Sequence, residues 1–247
     1  VDWPCEVNTL FREKNLGCKL AVSGGINWFF EHEEQGIILE DDCLPNTDFF
    51  RFCDELLQRY AGDDRVAVIT GNNFQNGQTR GDGTYYFSKY NHCWGWATWR
   101  RAWRHYHGDI SFWPKWQCSS AWAAVTPDNV ERRYWKRIFD QVRGNKIDSW
   151  AYPWTASVWF SGGLTVTPNV NLVSNIGFGP DATHTFSSDS PLAEVATSAL
   201  GEITHPVVVA QDKEADRYVF DHVFGGRIQR FPYLIYSLPR RAACKIF

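Results

Sequence analysis

The stretch that most limits the fold is Gly36-Ile37-Ile38-Leu39-Glu40-Asp41-Asp42-Cys43-Leu44-Pro45. Ile37, Ile38 and Leu39 form a short aliphatic run bounded by Gly and Pro, the pattern of a strand covered on both faces of a sheet. Three carboxylates follow at once. One unpaired carboxylate is costly to bury, and three adjacent ones are costlier. Glu40, Asp41 and Asp42 therefore belong where the strand leaves the sheet, at its carboxyl end, facing solvent or a cation. In open α/β sheets that edge is where ligands bind. Hard oxygen donors suit Mg²⁺ or Mn²⁺, ions that bind together with phosphates. The competing reading is a solvated acidic turn ahead of the next helix.

A second apolar run, Val66 to Gly71, follows a helical pattern from Asp48 to about Tyr60. Phe49, Phe52, Leu56 and Leu57 share one face of that helix, and Asn46 or Thr47 supplies its cap. Strand, helix, strand in this order predicts a βαβ unit with a parallel pairing. Both strands then end on one sheet edge, which sets Asn72 and Asn73 beside the acid cluster. Further helices are predicted over 21–33 (around Gly24-Gly25), from Thr98 with Trp99 and Trp103 one turn apart, over 128–143, from Trp154 to Ser161 after Pro153, and over 212–224. Strand patterns occur at 5–10, 85–88, 163–168 and 205–210, and a Gly-rich polar loop runs from Asn175 to Thr185. The expectation is one α/β domain over 1–225, followed by a basic tail or helix over 226–247.

Composition narrows the function. A net charge of −3 argues against a general nucleic-acid binder. No apolar run reaches the length that spans a bilayer. Seven Cys stand singly, at 5, 18, 43, 53, 93, 118 and 244, without CxxC spacing. That fits free thiols of a reducing cytoplasm rather than a disulfide scaffold or a zinc site. The chain opens without Met and without a signal-peptide pattern, and reads as a processed or truncated piece. It has 13 Trp, and 16% of its residues are aromatic. Such rings pack cores, and they also cover the apolar faces of sugars. The basic face of 128–143, with Arg132, Arg133, Lys136, Arg137 and Arg143, reads as a solvated face.

Three groups can carry chemistry together: Glu40-Asp41-Asp42, Asp148 among aromatics, and His184 in the Gly-rich loop. A divalent cation held by a carboxylate and an imidazole clamps a diphosphate, and a separate carboxylate deprotonates an acceptor hydroxyl. Transfer of a sugar from a nucleotide diphosphate needs that division of labour.

The runs GIILEDDCLPNTDFFRFCDELL, CWGWATWRRAW and IDSWAYPW followed by SNIGFG resemble the nucleotide-diphospho-sugar transferases of GT-A fold. These include bacterial glycosyltransferases named hemolytic-protein-like or family 2-like. The acidic triplet also resembles the Glu-Asp-Asp form of the Asp-X-Asp motif in the eukaryotic N-acetylglucosaminyltransferase I group. The resemblance covers about residues 5–225, and the CWGWATW block is its most specific part. It implies a Rossmann-like α/β/α sandwich with a mixed, mainly parallel sheet lacking its first N-terminal strand. It implies a metal-dependent, inverting glycosyltransferase using Mn²⁺ or Mg²⁺, a UDP-sugar donor and a carbohydrate or glycolipid acceptor, in the cytoplasm or peripherally at the inner membrane. Asp42 would ligate the metal with His184, Asp41 would face the ribose, and Glu40 the donor sugar. Asn72, Asn73 and Trp96 would line the donor site, and Asp148 would be the base. The family's base directly follows a Trp, whereas Ile147 precedes Asp148, so Asp109 and Asp181 stand as rivals. His205 and His222 are rival ligands. Two other readings remain at this point: a sugar nucleotidyltransferase, and a catalytically inactive carbohydrate-binding module in which Trp94, Trp96 and Trp99 stack a sugar.

Overall fold

The computed structural model describes residues 3–178 and 195–230. Helix α1 (Gly17–His32) leads to β1 (Gln35–Ile38), β2 (Cys43–Pro45), α2 (Thr47–Arg59) and β3 (Val66–Thr70). Next come β4 (Tyr85–Ser88), β5 (Trp96–Trp99) and a run of helices: α3 (Arg100–Trp103), α4 (Trp113–Trp116), α5 (Ser120–Val125), α6 (Asn129–Arg143) and α7 (Ala151–Ser161). The last elements among the described residues are β6 (Leu164–Pro168), β7 (Val173–Asn175), α8 (Lys213–His222) and α9 (Gly226–Gln229).

Among the described residues the main sheet has five strands in the order β1-β5-β3-β6-β4, and β2 pairs with β7 in a separate antiparallel ribbon. The fold is α/β with a mixed sheet, but the sheet is not mainly parallel. Only β3 and β6 run parallel as neighbours; the pairs β1·β5, β5·β3 and β6·β4 are antiparallel. The expected direct pairing of the first two strands is replaced by the insertion of β5 between them. Residues 96–99, Trp-Ala-Thr-Trp, are all buried, and their bulky and β-branched side chains suit a pleated surface better than a helix start. The helix therefore begins at Arg100 instead of Thr98. Two antiparallel steps restore direction, so β1 and β3 still point the same way. Their carboxyl ends share one sheet edge, as does the start of β5, because Trp96 pairs with both Ile38 and Thr70.

Side chains alternate across the sheet into two cores. One face carries Val66, Ile69, Phe87, Ala97, Trp99 and Val166 against α2. Phe49, Phe52 and Leu56 of α2 are fully buried there, each contributing roughly 1.5–3 kcal/mol before ordering costs. The cap of α2 is local: the Asn46 side chain accepts from the Phe49 amide at 3.0 Å. The opposite face carries Trp96 into a core built with Ile26 and Phe30 of α1, Trp103, Trp135, Trp154 and Trp159. Most of the tryptophan excess is thus packing. No strand forms over 5–10 or 205–210; beside the latter Gln211 makes a single bridge to Phe87. The helix expected over 154–161 starts three residues earlier, with Pro153 in its first turn, where no donor is needed.

Candidate functional site

The acid cluster lies just beyond the carboxyl end of β1, as expected, but β1 is a half-buried edge strand of the described sheet and not one covered on both faces, and Leu39 lies beyond it, exposed. Asp41 is exposed, while Glu40 and Asp42 are half-buried. Burial, reinforced by the charge of Asp42 and to a lesser degree of Asp41, pushes the Glu40 carboxyl up to about 7. The indole of Trp150 opposes this by hydrogen-bonding the carboxylate. Trp150 is itself held by stacking on Trp96, with ring centroids 5.4 Å apart and planes inclined by 19°. No lysine or arginine pairs with Glu40, Asp41 or Asp42 among the described residues.

The β2·β7 ribbon brings the following loop onto this cluster. The Ile176 amide donates to the Asp42 carbonyl at 2.9 Å. Gly177 packs directly on the Asp42 side chain, so that a methyl group there would lie 2.7 Å from the Asp42 Cβ. Phe178 then meets Trp94 edge to face at 5.5 Å. His184 and Asp181, further along the same segment, lie outside the described residues.

Asn72 and Asn73 reach the expected edge, but they face inward. Asn72 accepts from the Trp94 amide and donates to the Val173 carbonyl. Asn73 donates to the Pro168 carbonyl at 2.6 Å and accepts from the Gln75 amide. Both are buried, and their amides tie the strand ends together. The reason is that this edge holds loops from β3, β5 and β6, whose backbone groups must find partners. Trp96 is likewise enclosed, 1% exposed among Trp103, Trp150 and Trp154. Its face cannot meet a ligand, and it supports Trp150 instead. Trp99 is buried too, with Arg101 over its ring.

Asp148 is exposed, and its two oxygens accept from the amides of Cys18 (3.1 Å) and Lys19 (3.0 Å) at the start of α1. It therefore caps a helix whose preceding Leu16 cannot. Cys18 links the two acidic sites: burial raises its thiol first, then the charge of Glu40, and Asp148 adds a smaller push. Asp109 is exposed and accepts from the Ser111 amide in a local turn. His205 is bound by Tyr85 and Glu55, and His222 stacks on Tyr218. Neither imidazole joins the acid cluster.

Among the described residues no three His, Cys, Asp or Glu side chains form a metal-binding group. The donor chemistry at Asp42 nonetheless suits a hard divalent cation: Glu40 and Asp42 repel each other with no basic side chain between them. The sequence reading missed Trp150 as the partner of Glu40, and the half-buried Phe74, His92 and Phe178 beside Trp94. The pattern in IDSWAYPW held the first; the others carry no local signal. No family model matches the chain, and no curated protein matches it.

Proposed function

We propose that the protein is a metal-dependent glycosyltransferase of GT-A type that moves a sugar from a nucleotide-diphospho-sugar to an acceptor hydroxyl with inversion. The observation that carries this reading is the unpaired pair Glu40 and Asp42 at the carboxyl edge of the sheet, with Glu40 pushed up to about 7 by burial and by Asp42. A cation at that place removes the repulsion and brings a diphosphate with it. Asp42 is the assigned ligand, with His184 completing the set. A bound Mn²⁺ or Mg²⁺ supplies neutralisation of the departing diphosphate.

The chain's own residues do the rest. Glu40, oriented by the Trp150 indole, hydrogen-bonds the donor sugar. Asp41, exposed beside it, faces the ribose. Asp148 is exposed and fixed in direction by the two α1 amides, and it takes the proton of the acceptor hydroxyl. A single positioned base suits inversion.

The test is hydrolysis of a panel of nucleotide sugars with and without Mn²⁺. We expect Asp42→Ala to lose Mn²⁺-dependent donor binding in calorimetry; unchanged binding removes the metal role. Asp148→Asn should bind donor normally and lose turnover by two to four orders of magnitude, roughly the range for a lost acid–base group. A fully active variant rules it out as the base.

A further inference from the structure

The β2·β7 ribbon has two unlike faces. Burial alternates along β7 as a strand requires: Val173 and Asn175 point inward and are buried, while Ser174 points outward opposite its partner, the exposed Leu44. The ladder continues one step past β7, because the Ile176 amide donates to the Asp42 carbonyl. Ile176 therefore sits diagonally from Leu44 on the outward face, within reach of a long side chain. Leu44 is 57% exposed and Ile176 53%.

Rolling the ribbon cannot hide these two side chains. Val173 on the inner face is wedged against Gly71 and Gly95, where an added Cβ would lie 2.5 Å and 2.7 Å from the Val173 Cγ2. The Leu172 amide donates to the Gly71 carbonyl, and the Asn46 amide donates to the Leu172 carbonyl. Two aliphatic side chains are thus held in water beside the acid cluster.

Size, position and charge select the occupant. Two side chains fall far short of the roughly 800 Å² per partner that a stable protein interface buries, but they match the breadth of one alkyl chain. The acid cluster adjoins them, so one molecule that meets both is polar at one end and apolar at the other. Glu40, Asp41 and Asp42 have no basic partner among the described residues, so an anionic headgroup would be repelled there. A neutral headgroup rich in hydroxyls fits, because carboxylates accept its hydrogen bonds.

We propose that Leu44 and Ile176 seat the alkyl chain of a glycolipid acceptor whose neutral sugar headgroup lies at the acid cluster. The word acceptor rests on the glycosyltransferase reading; the seat for an alkyl chain does not.

The experiment titrates the full chain, without metal or donor, with butyl, hexyl and octyl β-glucoside below their micelle concentrations. Calorimetry reads affinity, and saturation-transfer NMR separates alkyl from sugar protons in contact. Affinity should rise several-fold along the series, about fourfold per methylene being the limit for full burial. Leu44→Ser combined with Ile176→Ser should abolish that rise and remove the alkyl contacts from the spectrum. Val207→Ser, at an 87% exposed valine beside Asp82, should leave the rise unchanged. Circular dichroism checks the fold of each variant. No rise with chain length overturns the seat, as does a rise that the double variant keeps or that Val207→Ser weakens equally. Self-association that the double variant dissolves, with no dependence on chain length, overturns it in favour of a second copy on this face. Donor hydrolysis that persists while the rise is absent overturns the seat alone. A rise that depends on Leu44 and Ile176 in a protein without donor hydrolysis supports the seat and removes the transferase reading.

Discussion

Gly177 has no room for a side chain. A Cβ there would stand 2.7 Å from the Asp42 Cβ and 2.9 Å from its carboxyl carbon. In Gly177→Ala one of the two groups has to move, and Asp42 lies half-buried in the turn between β1 and β2. We expect Mn²⁺-dependent donor binding in calorimetry to fall about tenfold or more, with little change in unfolding midpoint. Unchanged binding would separate Asp42 from the metal. Asp216 is a different acid, buried in the interior, where desolvation outweighs its hydrogen bonds to Ser88 and Gln211 and the nearby Lys89 charge and lifts it to about 6. Its folded value exceeds the ordinary 3.8, so the folded state holds the proton more tightly. Its contribution is complete below 3.8 and is lost as pH rises through about 6, by an amount on the order of 3 kcal/mol. Urea unfolding between pH 4 and 7 should show this decline in the parent and a flatter profile in Asp216→Asn. Equal slopes would refute it. The sequence shows that Gly177 and Asp216 exist in a loop and a helix; their partners come from distant segments and leave no local trace.

At the level of elements, legibility followed the location of the cap. Helix α2 is readable because Asn46, its first turn and its apolar face are all within one stretch. The body of α1 is readable too, but its start is not: the expected start at Ala21 falls four residues late. Its first amides are satisfied by Asn15 and by Asp148, 130 residues away from Cys18. Without that distant carboxylate the Gly17-Cys18-Lys19 turn has no reason to be helical. Asp148→Ala should therefore cost about 1 kcal/mol and speed hydrogen exchange at the Cys18 and Lys19 amides. Unchanged exchange there would show that Asp148 does not hold the helix. Asp148→Asn keeps one acceptor oxygen, so a turnover loss far beyond its stability loss distinguishes the base from the cap. The β5 strand was hidden for another reason. Four residues of Trp-Ala-Thr-Trp carry both helical and strand spacing, and only burial on both sides of the sheet decides between them.

Across the whole molecule, the helical layer over the tryptophan core is pinned by one buried charge network. Lys89, just after β4, pairs with Glu131 of α6 at 2.7 Å and donates to the Val125 carbonyl of α5 at 2.9 Å. The Trp159 indole of α7 donates to the Lys89 carbonyl, while the ammonium lies 5.0 Å from that ring's centre. The Tyr90 hydroxyl donates to Glu131, and the Lys89 amide donates to Asp216 of α8. One lysine thus joins a strand end to α5, α6, α7 and α8, and its ammonium is the cation paired with Glu131 in a dry interior. Nothing in the sequence singles out Lys89 or Glu131, because buried pairs look like surface residues until the fold closes over them. Lys89→Met leaves Glu131 buried without a cation and should destabilise by about 3–5 kcal/mol in urea unfolding. Lys89→Met with Glu131→Gln removes both charges and should recover a large part of that loss, since the cost lies in the stranded carboxylate. A double variant no more stable than Lys89→Met would mean that the methylene packing and backbone contacts of Lys89, and not its charge, hold the layer together.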